Sequence, residues 1–259
     1  MALRLRAIVE YDGTRYAGFQ RQANALTVQG EIEAVLRRLT QEDVRILAAG
    51  RTDAGVHALG QVIAFDTNWS HSLQELHQGM NALLPEDIAV RRLDEAPAGF
   101  HPRYDALSRL YRYQIWNEPI RSPLRCRYAW HVPQALDVPA MAEVTRLLVG
   151  AHDFATFGTP TQGESTVRQV YRIEWHREGS LVWMDIEANG FLRTMVRCIV
   201  GTALQVGLGN MSGEEFARRF ASRDRSQTSP PAPAQGLCLV AVRYADGYAP
   251  EHFEGVRVK

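Results

Sequence analysis

The feature of this sequence best suited to chemistry is a carboxylate on a short glycine-bearing segment. Residues 50–57 read Gly-Arg-Thr-Asp-Ala-Gly-Val-His. Apolar, β-branched stretches stand on both sides, at 44–49 and 61–65, so the segment predicts a tight connection between two strands with Asp53 held at the end of a sheet. The same residues also suit a plain capped turn, with Thr52 and Asp53 bonding the backbone and Gly50 and Gly55 supplying unusual backbone angles. Other chemistries lack their residues. No Gly-x-Gly-x-x-Gly follows a strand, no Gly-x-Ser-x-Gly is present, and the one lysine, Lys259, is not in a phosphate-binding loop. The 8 histidines form no i, i+4 pair and no cluster with cysteine. Cys126, Cys198 and Cys238 are widely spaced and odd in number, which suits packing better than a disulfide framework. What remains is a carboxylate with arginines and tyrosines, for which neither cofactor nor metal is expected.

The formal net charge of zero slightly disfavours a polyanionic partner, but the distribution of charge points the other way. Nearly every cation is arginine, whose planar fork suits phosphate and stacks on flat rings. Between His101 and His131, Arg103, Arg109, Arg112, Arg121, Arg125 and Arg127 interleave with Tyr104, Tyr111, Tyr113, Trp116, Tyr128 and Trp130. Such mixing fits nucleic acid. It equally fits a strand whose aromatics turn into a core.

The elements that must position these residues follow from periodicity. Period-two alternation predicts a strand over 3–11, then a loop over 12–25. Thr27 can cap a helix with Val28, Ile32, Val35, Leu36 and Leu39 on one face. Strands are expected at 44–49 and 61–65, a helix capped by Ser70 or Ser72, and a strand at 88–93. The second half predicts a strand at 109–116, a helix at 139–148, a strand pair at 166–176 and 181–188, helices at 191–206 and 212–221, a Pro/Ser/Ala-rich segment at 222–235 and a strand at 236–244. Each half thus reads β-α-β-β-α-β with one extra helix in the second. The expected fold is α+β: two tandem ferredoxin-like domains, 1–105 carrying the Asp53 loop and 106–259, joined into one antiparallel sheet with helices on one face. The N-terminus alternates like a strand rather than a signal peptide, and no run reaches membrane-spanning length, so a cytoplasmic protein is expected.

Several stretches, read together, resemble the tRNA pseudouridine synthase A family. They are residues 50–57; Glu10-Tyr11-Asp12-Gly13-Thr14 with Tyr16 and Gly18-Phe19-Gln20-Arg21-Gln22; Tyr111-Arg112-Tyr113; His152-Asp153-Phe154 with Phe157; Ala188-Asn189-Gly190-Phe191-Leu192 with Met195-Val196-Arg197; and residues 231–237. The resemblance spans nearly the whole chain. It implies isomerisation of uridines 38, 39 and 40 in the tRNA anticodon stem-loop, a redox-neutral reaction without a phosphoryl donor. It also implies a homodimer.

By the same resemblance Asp53 is the essential carboxylate, acting covalently or as a base, and Arg197 is its partner cation, a reading that also suits a lone arginine in an apolar helix. Tyr111 would stack on the flipped uracil, Leu237 would line the pocket, and Arg51 would fill the vacated stack. Arg15, Arg21 and Arg109, with Arg91, Arg92 and Arg112 behind them, are candidates for tRNA backbone contacts. Tyr113 shares the sheet face of Tyr111 and can be packing alone. An RNA-binding chaperone and a pseudouridine synthase for other RNA positions are the alternatives. Thr52 and His57 receive no role.

Overall fold

Strand alternation and helical stripes build the framework that holds the Asp53 segment. The computed structural model describes residues 2–160 and 163–250. Met1 and residues 251–259 of the expected second domain lie outside these. β1 (Leu3–Tyr11) points Leu5, Ala7 and Val9 into the core. α1 (Val28–Thr40) starts where Thr27 accepts the Gly30 N–H, and it buries Val28, Ile32, Val35 and Leu36 at helical spacing. β2 (Leu47–Ala48) is short, and β3 (His57–Thr67) is buried along nearly its whole length. α2 (Leu73–Leu83) opens with a reciprocal capping box between Ser72 and Glu75 and buries Leu76 and Met80. β4 (Ile88–Glu95) completes a β-α-β-β-α-β order. β1 lies between β3 and β4, antiparallel to both, and β2 runs antiparallel to β3. α1 packs on α2, and α2 on β4.

The chain forms two compact units, one comprising the residues up to Leu107 and from Leu239 onward, the other Ser108–Cys238. The second unit contains β5 (Ala106–Trp116) from Ser108 onward, β6 (Trp130–His131), α3 (Val138–Arg146), β7 (Gly150–Asp153), β8 (Val167–Glu178), β9 (Leu181–Ala188), α4 (Met195–Gly207) and α5 (Gly213–Ser222). Its strand order is β5-β9-β8-β7, antiparallel throughout, with β6 parallel to β5. α3 packs against α4, α5 and β8. The last strand, β10 (Leu237–Tyr244), lies beside β3 in the first unit for most of its length. The fold is therefore mixed α+β with a mostly antiparallel sheet, as the element order predicted. No helix among the described residues is long and apolar enough to cross a membrane.

Some boundaries differ from the sequence reading. Val44 and Ile46 are buried as a strand would require, yet the Ile46 N–H donates to the Glu33 carboxylate (3.2 Å) and not to a neighbouring strand, which leaves β2 with Leu47–Ala48. α4 begins at Met195, not at 191, because Thr194 is left-handed (φ 62°) and the Arg193 N–H pairs with the Thr159 carbonyl (2.9 Å). That frees Phe191 and Leu192 from the helix and leaves Arg197 in its first turn. β6 and β7, too short for a periodicity signal, went unread.

The Ser72 cap yields a direct check. Ser72→Ala should lower unfolding stability by about 1 kcal/mol, read as a lower urea midpoint, while turnover stays unchanged; an unaltered midpoint would show the capping box to be idle.

Candidate active site

In the first unit, two loops leave neighbouring strands and interlock. β1 ends at Tyr11, which faces Ala58 at the start of β3, with a register shift between Val9 and Tyr11. Residues 12–19 therefore emerge beside residues 50–57. The Phe19 N–H donates to the Thr52 carbonyl (3.1 Å), and the Gly55 N–H donates to the Tyr16 carbonyl (3.3 Å). Val56 N–H closes the turn onto the Asp53 carbonyl (3.1 Å). The Thr52 and Tyr11 hydroxyls share a buried hydrogen bond of 2.8 Å, and the Gln61 amide donates to the Gly50 carbonyl (2.8 Å).

Two glycines allow the loops to approach this closely. Gly18 has φ 101°, and a Cβ there would stand 2.8 Å from the Thr52 carbonyl oxygen and 3.3 Å from the Asp53 carbonyl carbon. A Cβ on Gly13 would run into the Val56 carbonyl. Asp53 is half-buried on this turn, and Arg51 beside it is exposed.

The first loop is anchored at its far side as well. The Tyr16 hydroxyl donates to Asp87 (2.5 Å), and Arg15 pairs with the same carboxylate at 2.7 Å. Burial, and then the bond to Asp87, push the Tyr16 phenol up to about 12, so it holds its proton throughout the physiological range. Arg21 reaches Glu33 (3.1 Å) but stays half-exposed. Arg91 pairs with Glu10 at 3.5 Å and Arg92 with Asp94 at 2.7 Å.

In the second unit, β5 carries Tyr111 opposite Ile186 of β9. Its ring is 8% exposed and meets the edge of Phe191 at 5.1 Å and 85°. Phe191 can do this because α4 starts after it. The Asn189-Gly190 pair just ahead, a turn signal, is the feature by which the sequence could have shown this. Arg109 is 9% exposed and donates to the Asn189 carbonyl at 2.8 Å. Arg112 forms a fork-to-fork pair with Asp185, both bonds 2.8 Å.

Arg197 donates from Nε to the Ala232 carbonyl (2.6 Å), while its own carbonyl accepts the Ala232 N–H (2.9 Å). The proline- and alanine-rich segment is thereby pinned along α4. Tyr113 is fully buried, and its hydroxyl donates to the Pro233 carbonyl at 2.8 Å. Gly236 presses on the same ring, since a Cβ there would lie 2.6 Å from it. Burial raises the Tyr113 phenol well above its ordinary range, opposed by the nearby Arg197 charge. Leu237, 7% exposed, follows directly at the start of β10. The second unit thus gathers Arg197, Tyr113 and the 232–237 segment, and separately Tyr111 with Phe191. Among the described residues no group of three or more His, Cys, Asp or Glu side chains could hold a metal ion.

The profile of tRNA pseudouridine synthases matches residues 7–105 and 144–245. The chain belongs to the tRNA pseudouridine synthase family. Asp53 and Arg197 fall inside the matched stretches, and Tyr111 lies between them. A tRNA pseudouridine synthase A of Geobacter sulfurreducens is 47% identical over 93% of this chain and 99% of its own length. One from Geobacillus kaustophilus is 46% identical over 95% and 96%, and one from Chloroflexus aurantiacus is 46% identical over 93% and 88%.

The interlock predicts that Gly18→Ala destabilises the protein by roughly 1–3 kcal/mol, from positive φ and loss of clearance, and slows turnover at least about tenfold. Denaturant melts together with initial rates check this; unchanged values of both would show that the two loops do not need their close approach.

Proposed function

We propose that this pseudouridine synthase isomerises uridines 38, 39 and 40 of the tRNA anticodon stem-loop, with Asp53 as the essential carboxylate. In the reaction the C1′–N1 bond of uridine breaks, C1′ bonds C5, the C5 proton departs and N1 gains one. The balance needs no oxidant, reductant or phosphoryl donor. The observation that carries the reading is the Asp53 turn, tied to residues 12–19 by backbone hydrogen bonds on both sides of the carboxylate in a chain of this family. A carboxylate so held is oriented before substrate arrives, which favours attack on the flipped nucleotide or assistance to glycosidic cleavage.

The other roles follow from chemistry and burial. Arg197, by the family resemblance, is the counter-charge of the Asp53 carboxylate. Tyr111 stacks on the extruded uracil, its plane set by Phe191, and Leu237 lines the pocket. Arg51, exposed beside the turn, fills the space the nucleotide leaves. Arg15 and Arg21, whose exposed guanidiniums already lean on carboxylates, contact phosphates, and Arg109 supports the same surface from its buried position. The enzyme works as a cytoplasmic homodimer that shares one tRNA between subunits, and the Asp53 loop belongs to the N-terminal domain of each.

Unmodified tRNA tritiated at uracil C5 tests the reading. The wild type should release tritium from transcripts with uridine at 38–40, and Asp53→Ala should be slower by on the order of 10²–10⁴-fold or more. Binding of tRNA by Asp53→Ala should stay within about threefold, because phosphate contacts dominate affinity. Release by Asp53→Ala at the wild-type rate would remove Asp53 from the chemistry, and wild-type release only from uridines elsewhere would overturn the assigned positions.

A further inference from the structure

Gly13 is buried where residues 12–19 turn across the start of β3, and a buried backbone N–H must find an acceptor. Its acceptor is a side chain: the N–H points at Nδ1 of His57 at 3.0 Å. His57 is buried, with 7% of its side chain exposed. An imidazole nitrogen accepts only when it carries no proton, so a bond from Gly13 requires a bare Nδ1 with the ring proton on Nε2. Asp12 Oδ1 lies 3.1 Å from the same nitrogen. That oxygen is already served by its own turn, through the Thr14 N–H (2.9 Å) and hydroxyl (2.5 Å). The bond from Gly13 thus defines which nitrogen His57 leaves open.

The location gives this bond its consequence. His57 is the first residue of β3 and follows Val56, whose N–H closes the Asp53 turn. The Thr52 carbonyl and hydroxyl fasten the turn on its entry side, and the Gly13–His57 bond fastens it on the exit side. We propose that His57 is the positioning residue of this enzyme: as a neutral acceptor at Nδ1 it sets the exit of the Asp53 turn against residues 12–14, and it does not touch substrate. The inference rests on Asp53 being the catalytic carboxylate. Displacement of a reacting group by about 1 Å costs on the order of 10²-fold in rate, so loss of this acceptor should appear in turnover and not in tRNA affinity.

The test compares His57→Leu, which fills the space without an acceptor, with His57→Asn, whose amide oxygen falls near the place of Nδ1. Single-turnover tritium release at saturating tRNA should slow by about 10–100-fold in His57→Leu. tRNA affinity should stay within about threefold, and His57→Asn should recover to within about threefold of wild type. A wild-type rate in folded His57→Leu, or His57→Asn as slow as His57→Leu, overturns the proposal. Asp53→Ala in the same assay separates the two readings: if it too turns over at the wild-type rate, Asp53 is not catalytic, whereas if it is inactive and His57→Leu is not impaired, only the role of His57 fails. Should His57→Leu not fold, ¹⁵N NMR of histidine-labelled wild type decides. A bare, hydrogen-bonded Nδ1 with the proton on Nε2 at neutral pH supports the proposal, and a protonated Nδ1 contradicts it.

Discussion

The constraint on which the candidate site depends is the absence of room between two loops. Residues 12–19 and 50–57 share backbone hydrogen bonds at Thr52, Gly55 and Tyr16, and neither Gly13 nor Gly18 has space for a methyl group. Such contact is possible because β1 and β3 are paired neighbours and the register shift between Val9 and Tyr11 turns the end of β1 toward the start of β3. Bulges of this kind re-aim a chain at the edge of a site. The rest of the first unit serves this arrangement: β1 and β3 are buried, α2 packs on α1 and β4, and Asp87 after α2 holds Tyr16 from the far side.

A comparable constraint orders the second unit. There the helix that carries Arg197 and the segment that carries Leu237 are joined through Ala232, and Tyr113 seals the contact with its hydroxyl on Pro233 and its ring on Gly236. A buried tyrosine placed two residues from Tyr111 thereby gains a structural function. The interleaving of arginines with aromatics suited nucleic acid, yet much of the arginine charge is taken up internally. Arg112 is closed on Asp185, Arg109 is buried on a carbonyl, and Arg92 lies on Asp94. Arginines that reach carboxylates within the chain neutralise them locally; the net charge of zero itself follows from 29 basic against 29 acidic residues.

Where local chemistry decides an element, the sequence was readable. β1 and β9 fall on the residues expected, Thr27 caps α1 as expected, and of the two candidates Ser70 and Ser72 it is Ser72 that caps α2. Where a distant partner decides, it was not. The buried carboxylate of Glu33, which takes the Ile46 N–H from the strand expected at 44–49, comes from the preceding helix. The start of α4 depends on a pairing between Thr159 and Arg193 that no window of sequence contains. The site divides in the same way. Asp53, Tyr111 and Arg197 were singled out through motifs, and their roles rest on the family resemblance. Thr52 and His57 stood in the most telling motif without a role, because their function is to bond Tyr11 and Gly13, some forty residues away along the chain.

The Asp53 turn is held in place before any RNA arrives. Backbone hydrogen exchange of the tRNA-free protein, read at the amides of Gly13, Phe19 and Gly55, tests it most directly. These amides should be protected to an extent comparable with the buried amides of β3, such as Ile63 and Ala64, since each is bonded across the interlock. Exchange as fast as that of an open turn, with protection gained only when tRNA is bound, would contradict it.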